Sequence, residues 1–305
     1  MSFPFLSDAV KAFTGLDVPL PIPTFGLCVA MAMLVATALF RRDLQWRRLA
    51  GALRPVRARR VSAVSLEEPR GLDEFVSNFA FAVLLCGILG ARIFHILEHL
   101  EGFLLDPARM VFSRSGFSIM GGLVLGTLAG AVMVWRSGLP VRGVLDAAAP
   151  AMMIGYGLGR VGCQISGDGD WGVAADMALK PGWLPTWLWA QTYDNNIYGQ
   201  VIPPPGVYPA PIYETAMALA LFGVLWALRR HPFRPGWLFA LYLVLAGAER
   251  LLIEQIRVNP ALQVLGLQAT QAEMIASAFI VLGLAGLIVC GRPPDARAAV
   301  RLQGK

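Results

Sequence analysis

Three arginines lie inside long apolar segments of this 305-residue chain. Arg92, Arg160 and Arg250 each occur in a segment long enough to cross a bilayer, where an ionised side chain costs roughly 2.5–3.5 kcal/mol. At a helical rise of about 1.5 Å per residue, all three lie roughly 20–30 Å from the end that the flanking charges place in the cytoplasm. Because a guanidinium group can hold two phosphate oxygens at once, the pattern predicts an anionic-headgroup site in the outer leaflet.

Acidic residues near these arginines indicate how the arginines are held. Arg250, Glu254 and Arg257 are spaced i, i+4, i+7 and therefore share one face of a helix. Glu249, on the same segment, points about 100° away from that face. Asp168 and Asp170 lie in a glycine-rich turn just beyond the arginine of the fourth apolar segment. Acids of this kind also form structural ion pairs between helices, and the sequence leaves both interpretations open.

The elements that position these side chains are predicted to be membrane-spanning helices. A bilayer core of about 30 Å needs roughly 20 apolar residues per helix, and the chain contains seven such stretches. We therefore predict an all-α polytopic membrane protein with seven transmembrane helices in a single membrane domain, residues 1–305. The predicted spans are about 22–40, 74–98, 117–135, 143–162, 211–228, 236–257 and 270–290.

Two connections between the predicted spans have compositions of their own. Residues 41–72 contain nine arginines and are predicted to form a basic cytoplasmic loop. Residues 164–210 are polar, contain four tryptophans and are predicted to form a small periplasmic head segment. A cap that rests on the lipid headgroups is the alternative for this second connection.

Composition excludes several classes of protein and site. At 56% hydrophobic and 15% charged residues, with a mean hydropathy of +0.58, the chain is too apolar for a soluble enzyme or a nucleic-acid-binding module. The four cysteines contain no CxxC pair and the three histidines no HExxH pattern. We therefore expect no metal, no cofactor and no nucleic-acid partner.

The distribution of positive charge predicts the orientation in the membrane. Of the 26 lysines and arginines, 18 fall in one set of alternating connections between the predicted spans. Because positive residues are retained on the cytoplasmic side, the amino terminus is predicted to be periplasmic and the carboxyl terminus cytoplasmic.

Four sequence blocks resemble those of the prolipoprotein diacylglyceryl transferase family and follow one another along the chain in the same order as in that family. Gly159–Gly172, with the sequence GRVGCQISGDGDWG, resembles the signature of that family. Gly116–Gly122, Tyr208–Glu214 and Glu249–Arg257 resemble its other blocks, and the resemblance covers nearly the whole chain. It implies transfer of a diacylglyceryl group from phosphatidylglycerol to the lipobox cysteine of a preprolipoprotein, next to its signal peptide. The resemblance also implies that glycerol-1-phosphate is released at the outer face of the inner membrane of a bacterium.

The resemblance also implies roles for individual residues. Arg160 and Arg250 would hold the phosphate, and Glu254 would orient Arg250 or Arg257. Asp168 would bind glycerol hydroxyls or act as the base. Further candidate residues of the lipid and phosphate site are Arg92, Arg257, Gly121, Gly122, Met120, Cys163 and Glu214.

The chain departs from the family pattern at several polar positions. Met120 replaces a histidine, Cys163 an asparagine and Phe25 a tyrosine. These changes leave the identity of the general base open. They also keep two alternatives to the family reaction open. One is a divergent paralogue that uses a different lipid or acceptor, and the other is a catalytically silent protein that binds lipid or lipoprotein.

Overall fold

The computed structural model describes residues 2–53, 69–112, 118–259, 261–264 and 267–292. Within these ranges the chain is mostly helical, as predicted, with a single short β-hairpin. The α-helices are α1 Leu6–Thr14, α2 Thr24–Leu49, α3 Pro69–Glu98, α4 Leu100–Leu105, α5 Pro107–Phe112, α6 Ile119–Ser137, α7 Val141–Ser166, α8 Ala210–Leu228, α9 Trp237–Glu254 and α10 Gln271–Cys290. The hairpin pairs β1 Ala261–Val264 with β2 Leu267–Thr270 in antiparallel register.

Five helices in the described ranges are long and apolar enough to cross a membrane. This makes the chain a multi-pass membrane protein. The five segments are Thr24–Leu49, Gly71–Glu98, Met120–Ser137, Ala210–Leu228 and Gln271–Cys290. Helices α7 and α9 coincide with the other two predicted spans, but each carries three charged residues.

Some helix ends differ from the predicted ends. Helix α2 continues to Leu49 because no glycine or proline follows the apolar run until Gly51, which adopts a left-handed φ of 71°. A buried ion pair of 2.6 Å between Asp43 and Arg47 also supports this last part of the helix. Residues 54–68 of the predicted basic loop lie outside the described residues, as do residues 113–117 at the start of the predicted third span.

The chain divides into two compact units. The first unit comprises Met1–Leu39 and Leu145–Lys305, and the second comprises Phe40–Val144. In the first unit, α7, α8 and α9 share an apolar core whose fully or almost fully buried residues are Ala149, Met153, Ala218, Leu225 and Leu238. Helix α9 also packs on α10, where a side chain at Gly247 would lie 2.6 Å from the Ala276 carbonyl oxygen.

The segment at 164–210, predicted to be a head, belongs to the first unit and is folded. It contains the 3₁₀ turns Met177–Leu179 and Thr186–Leu188, and Val207 forms bridges with both Ala174 and Gln191. The amino terminus is attached to this segment, because Ser2 donates its backbone N–H and its hydroxyl to the Asp194 carbonyl oxygen. These contacts give the segment a defined structure beside the carboxyl end of α7.

In the second unit, α3 and α6 cross at two glycines. A side chain on either Gly90 or Gly121 would overlap the backbone carbonyl of the other, so the two helices touch through their backbones. The Ser118 hydroxyl donates to Glu98 Oε1 at 2.8 Å and joins the start of α6 to the end of α3. Gly121 is therefore a packing residue in this unit, and Gly122 beside it approaches the backbone of Gly87.

Candidate active site

Three arginines of the first unit surround one buried glutamate. Glu214, the fifth residue of α8, is fully buried. Its carboxylate lies 3.2 Å from Arg160 Nε, 3.4 Å from Arg250 Nη1 and 3.6 Å from Arg257 Nη1. We call Arg160, Arg250 and Arg257 the arginine cluster. The structure thus brings together three of the four predicted arginines, with Glu214 as the counter-ion that they share.

A second carboxylate, that of Glu254, contacts Arg250, as the spacing on α9 predicts. Arg250 Nη2 lies 2.9 Å from Glu254 Oε2, one helical turn away. The other oxygen, Oε1, accepts hydrogen bonds from Asn259 Nδ2 at 2.7 Å and from the Thr270 hydroxyl at 2.6 Å. Because Glu254 is held from both sides, it fixes the orientation of Arg250.

Arg257 does not share the helical face of Arg250 and Glu254, which corrects the prediction from spacing. Helix α9 ends at Glu254, and Arg257 lies beyond it in an extended bridge with Gly172. Its guanidinium group reaches Glu214 and also Asp170, whose Oδ1 is 2.7 Å from Arg257 Nη2. The helical period therefore ends before Arg257, and the bridge to Gly172 positions this arginine.

Asp170, rather than Asp168, is the partner of the arginines in the glycine-rich turn. The Asp170 carboxylate forms ion pairs with both Arg160 and Arg257. Burial alone would raise the pKa of Asp170, but the two guanidinium groups outweigh burial and hold this pKa below its ordinary value. Asp170 is therefore an anion in the folded protein at neutral pH.

Asp168 and Cys163 lie next to each other at the edge of the cluster. The Cys163 sulfur and the carboxylates of Asp168 and Asp170 have ligand atoms within 4.8 Å of one another. Arg160 Nη1 is 3.9 Å from Cys163 Sγ. Burial raises the pKa of Asp168 above its ordinary value, an effect that the hydrogen bond with Cys163 opposes. Asp168 is thus a stronger base than an exposed aspartate.

Two residues of the site were not predicted. The Tyr156 hydroxyl lies 3.1 Å from both Glu214 Oε1 and Glu249 Oε1, and the Arg160 guanidinium lies over the Tyr156 ring at 5.2 Å from its centre. Tyr156 precedes Arg160 by one helical turn, a spacing that could have identified it. Glu249, which the helical period predicts to point about 100° away from Arg250, contacts Tyr156.

The other predicted site residues belong to the second unit. Arg92 Nη1 donates to the Met110 carbonyl oxygen at 3.2 Å, within that unit. Met120 is half-buried near the start of α6, directly before Gly121 and Gly122. Gly116 and Phe117, from the same sequence block, lie outside the described residues.

Two groups of side chains in the described residues have the donor atoms for a cation. One is Cys163, Asp168 and Asp170, but Arg160 and Arg257 contact Asp170, and their positive charge opposes a metal ion there. The other group, His95, Glu98 and His99, lies at the end of α3. Neither the CxxC nor the HExxH pattern occurs in the sequence, so no metal ligands are predicted from it. The order His-x-x-Glu-His of this second group matches neither pattern.

Comparisons with known proteins identify the family. The family model for prolipoprotein diacylglyceryl transferase matches residues 12–289. A phosphatidylglycerol–prolipoprotein diacylglyceryl transferase of Corynebacterium glutamicum is 27% identical over an alignment of 280 residues, which covers 86% of this chain and 79% of the relative. An enzyme of the same name from Leptospira interrogans is 29% identical over 290 residues, covering 85% of this chain and 78% of the relative.

Proposed function

This chain belongs to the prolipoprotein diacylglyceryl transferase family, and we propose that it transfers a diacylglyceryl group from phosphatidylglycerol to the lipobox cysteine of a prolipoprotein. The observation that carries this proposal is the arginine cluster around Glu214. Glu214, Glu254 and Asp170 hold the three guanidinium groups close together among apolar helices, where charged side chains are rare and usually functional. A phosphodiester headgroup is the anion that guanidinium forks match best.

The arginine cluster would act on the leaving group. In the proposed reaction the lipobox sulfur forms a bond to the terminal glycerol carbon of the diacylglyceryl group. The bond between that carbon and the phosphate ester oxygen breaks, and glycerol-1-phosphate leaves with the bonding electrons. Arg160 and Arg250, held by Glu214 and Glu254, would stabilise the charge that develops on this phosphate. In other enzymes, removal of one preorganised donor of this kind lowers kcat by a factor of about 10²–10³.

Asp168 is our proposed acceptor for the proton of the lipobox thiol. A thiolate is a much stronger nucleophile than a thiol, so the reaction needs a base near the sulfur. Its raised pKa makes Asp168 more basic than an ordinary aspartate, and it lies beside Cys163 at the edge of the cluster. Met120, in place of a family histidine, cannot accept a proton.

The proposed topology has seven spans, with the amino terminus outside and the carboxyl terminus in the cytoplasm. Five helices meet the length and composition expected of a span, and α7 and α9 have the length but carry the charges of the site. The substitutions Lys180→Cys and Arg142→Cys, each in a variant whose four native cysteines are replaced, test this orientation in whole cells. A membrane-impermeant maleimide should label the cysteine at 180, in the proposed periplasmic head, and should not label the one at 142.

A direct assay tests the proposed activity. Purified protein in detergent is mixed with phosphatidylglycerol and a lipobox peptide, and the mass of the peptide is followed. We expect an increase equal to one diacylglyceryl group. Arg160→Ala and Arg250→Ala should abolish it, whereas Arg142→Ala, at the exposed opposite end of α7, should not. No increase with the wild-type protein, beside an active family enzyme, would contradict the proposal and favour a silent binding protein or a different acceptor.

A further inference from the structure

The arginine cluster is already neutralised by the protein itself. Its three guanidinium groups form ion pairs with three carboxylates, those of Glu214, Glu254 and Asp170, and the carboxylates of Asp168 and Glu249 lie nearby. If a lipid phosphate bound in addition to these groups, negative charge would exceed positive charge in a weakly screened place. Binding is therefore much more favourable if one of the three carboxylates leaves as the phosphate arrives.

Asp170 differs from the other two carboxylates in the way it is held. The side chains of Glu214 and Glu254 are 0% and 2% exposed and project from α8 and α9. The Asp170 side chain is 30% exposed and follows Gly167 and Gly169, whose φ angles of +62° and +91° are left-handed. Asp170 can therefore move together with its glycine-containing turn toward solvent, whereas the two glutamates are enclosed side chains on helices.

We propose that the Asp170 carboxylate occupies the place of the substrate phosphate in the empty site, and that phosphate binding displaces it from Arg160 and Arg257. This inference rests on the proposed function for the identity of the phosphate. A phosphodiester carries one negative charge, as a carboxylate does, so the exchange leaves the net charge of the cluster unchanged. When the phosphate monoester product leaves, Asp170 returns and takes its place, so that the guanidinium groups are never left without an anion.

Asp170→Asn tests the exchange by separating KM from kcat. The amide keeps the size of the side chain and removes the competing charge. We expect the KM for phosphatidylglycerol and the inhibition constant of glycerol-1-phosphate both to fall about tenfold, because a charged hydrogen bond is worth about one such factor. The kcat should fall as well, since nothing then replaces the product. Asp194→Asn, at an exposed acid of the same segment, should stay near wild type.

Other outcomes for these variants would overturn the inference. A higher KM and a higher inhibition constant in Asp170→Asn would mean that Asp170 only holds the arginines in position. Unchanged constants would mean that the carboxylate does not compete with the phosphate at all.

A labelling experiment on the wild-type protein avoids any effect of a substitution on folding. Carbodiimide with glycine ethyl ester modifies accessible carboxylates, and peptide mass spectrometry gives the extent at each position. Glycerol-1-phosphate should increase labelling of Asp170 and leave the buried Glu254 unchanged. Unchanged or reduced labelling of Asp170 at saturating glycerol-1-phosphate would overturn the exchange. Because this readout needs no peptide acceptor, it is independent of the transfer assay, which tests the proposed function.

A separate cluster at the end of α3 has the donor set of a transition-metal site. His95, Glu98 and His99 have one ligand atom each within 4.8 Å of the others, and the two imidazole rings are 4.5 Å apart. The Nδ1 atom of His99 lies 3.1 Å from the His95 carbonyl oxygen, so Nδ1–H donates there and Nε2 is left to bind a metal. Ser118 donates to Glu98 Oε1, which leaves Oε2 available.

The geometry points to a Zn²⁺ site made by His95, Glu98 and His99. Two imidazoles and one carboxylate, with the fourth position open, is a ligand set that zinc accepts, and two histidines one helical turn apart can bind the same ion. Glu98 and His99 are exposed, so an ion can reach the cluster from solvent. Through Glu98 and Ser118, the bound ion would stiffen the junction between α3 and α6.

Calorimetric titration of ZnCl₂ into the full-length, untagged protein tests this site. We expect one ion per chain with micromolar affinity, and at least tenfold weaker binding for His95→Gln and His99→Gln. Glu101→Gln, at an exposed acid on α4, is the control and should bind as the wild type does. Equal affinity in wild type and both histidine variants, or no binding by the wild type, would overturn the site.

Discussion

Glu214→Gln should be among the most destabilising single substitutions in the first unit. The glutamate is fully buried and contacts three guanidinium groups at 3.2–3.6 Å. The amide preserves the volume of the side chain and can still accept the hydrogen bond from Tyr156. It removes the one charge that the three arginines share. Breaking a buried ion pair in this way costs about 3–5 kcal/mol, because the remaining charges lose their partner in a poorly screened place.

Denaturant unfolding in detergent, followed by tryptophan fluorescence, measures this cost. The matched control is Asp17→Asn, which breaks the ion pair between Lys11 and Asp17 at 2.9 Å, with side chains 62% and 76% exposed. That pair is screened by water, so its loss should leave the midpoint unchanged. A loss of less than about 1 kcal/mol in Glu214→Gln would refute the view that the three arginines depend on Glu214 for charge compensation.

Three further substitutions test the site and its support. Arg160→Lys keeps the charge but loses the planar fork, so transfer to the lipobox peptide should fall about 100-fold in the mass assay. Asp168→Asn should abolish transfer and raise the thermal midpoint at pH 7. Because the pKa of Asp168 is raised in the folded protein, ionisation of this residue lowers stability as pH rises through that pKa. The gain in the variant should therefore vanish below about pH 4, where the aspartate is protonated in both states. Gly121→Ala should lower the thermal midpoint through overlap with α3, whereas Gly223→Ala, with open space around it, should not.

The sequence predicts the arginine cluster well because charge inside an apolar segment is rare and costly. The helical rise predicts one level in the membrane for Arg92, Arg160 and Arg250. The structure brings Arg160 and Arg250 to Glu214, whereas Arg92 belongs to the second unit. Glu254 was predicted as a partner of Arg250 or Arg257, and the i, i+4 pair with Arg250 is present. Regular helices carry this information because their periodicity converts spacing into direction.

Positions outside regular helices, and partners on other helices, could not be predicted in the same way. Asp168 and Asp170 are two residues apart in a turn, and only the left-handed glycines decide which one faces the arginines. The bridge that places Arg257 beside Asp170 pairs residues 85 positions apart in the chain, at Gly172 and Arg257. The contact of Tyr156 with Glu249 likewise joins α7 to α9, and no periodicity within either helix specifies it.

The alignment of α7 with α9 depends on a residue far from the arginines. Asp146 is fully buried on α7, and its carboxylate accepts the backbone N–H groups of Gly236 at 2.8 Å and Phe239 at 3.0 Å, at the start of α9. Arg160 and Arg250 each lie 14 residues beyond this junction, a helical length of roughly 21 Å on both helices. These two hydrogen bonds, by which Asp146 caps the start of α9, therefore set Arg160 and Arg250 at the same height, where both contact Glu214.

Asp146→Ala should consequently impair transfer although it touches no part of the site. Loss of a buried N-cap costs about 1–2 kcal/mol, and a shift of one helix by even a fraction of a turn would separate Arg250 from Glu214. We expect the kcat for transfer to the lipobox peptide to fall more than tenfold while the protein remains folded. Asp176→Ala removes a similar cap from an exposed 3₁₀ turn and should leave kcat unchanged. If Asp146→Ala lowers stability but keeps the wild-type kcat, the packing of α7 on α9 must set the height of the arginines without this cap.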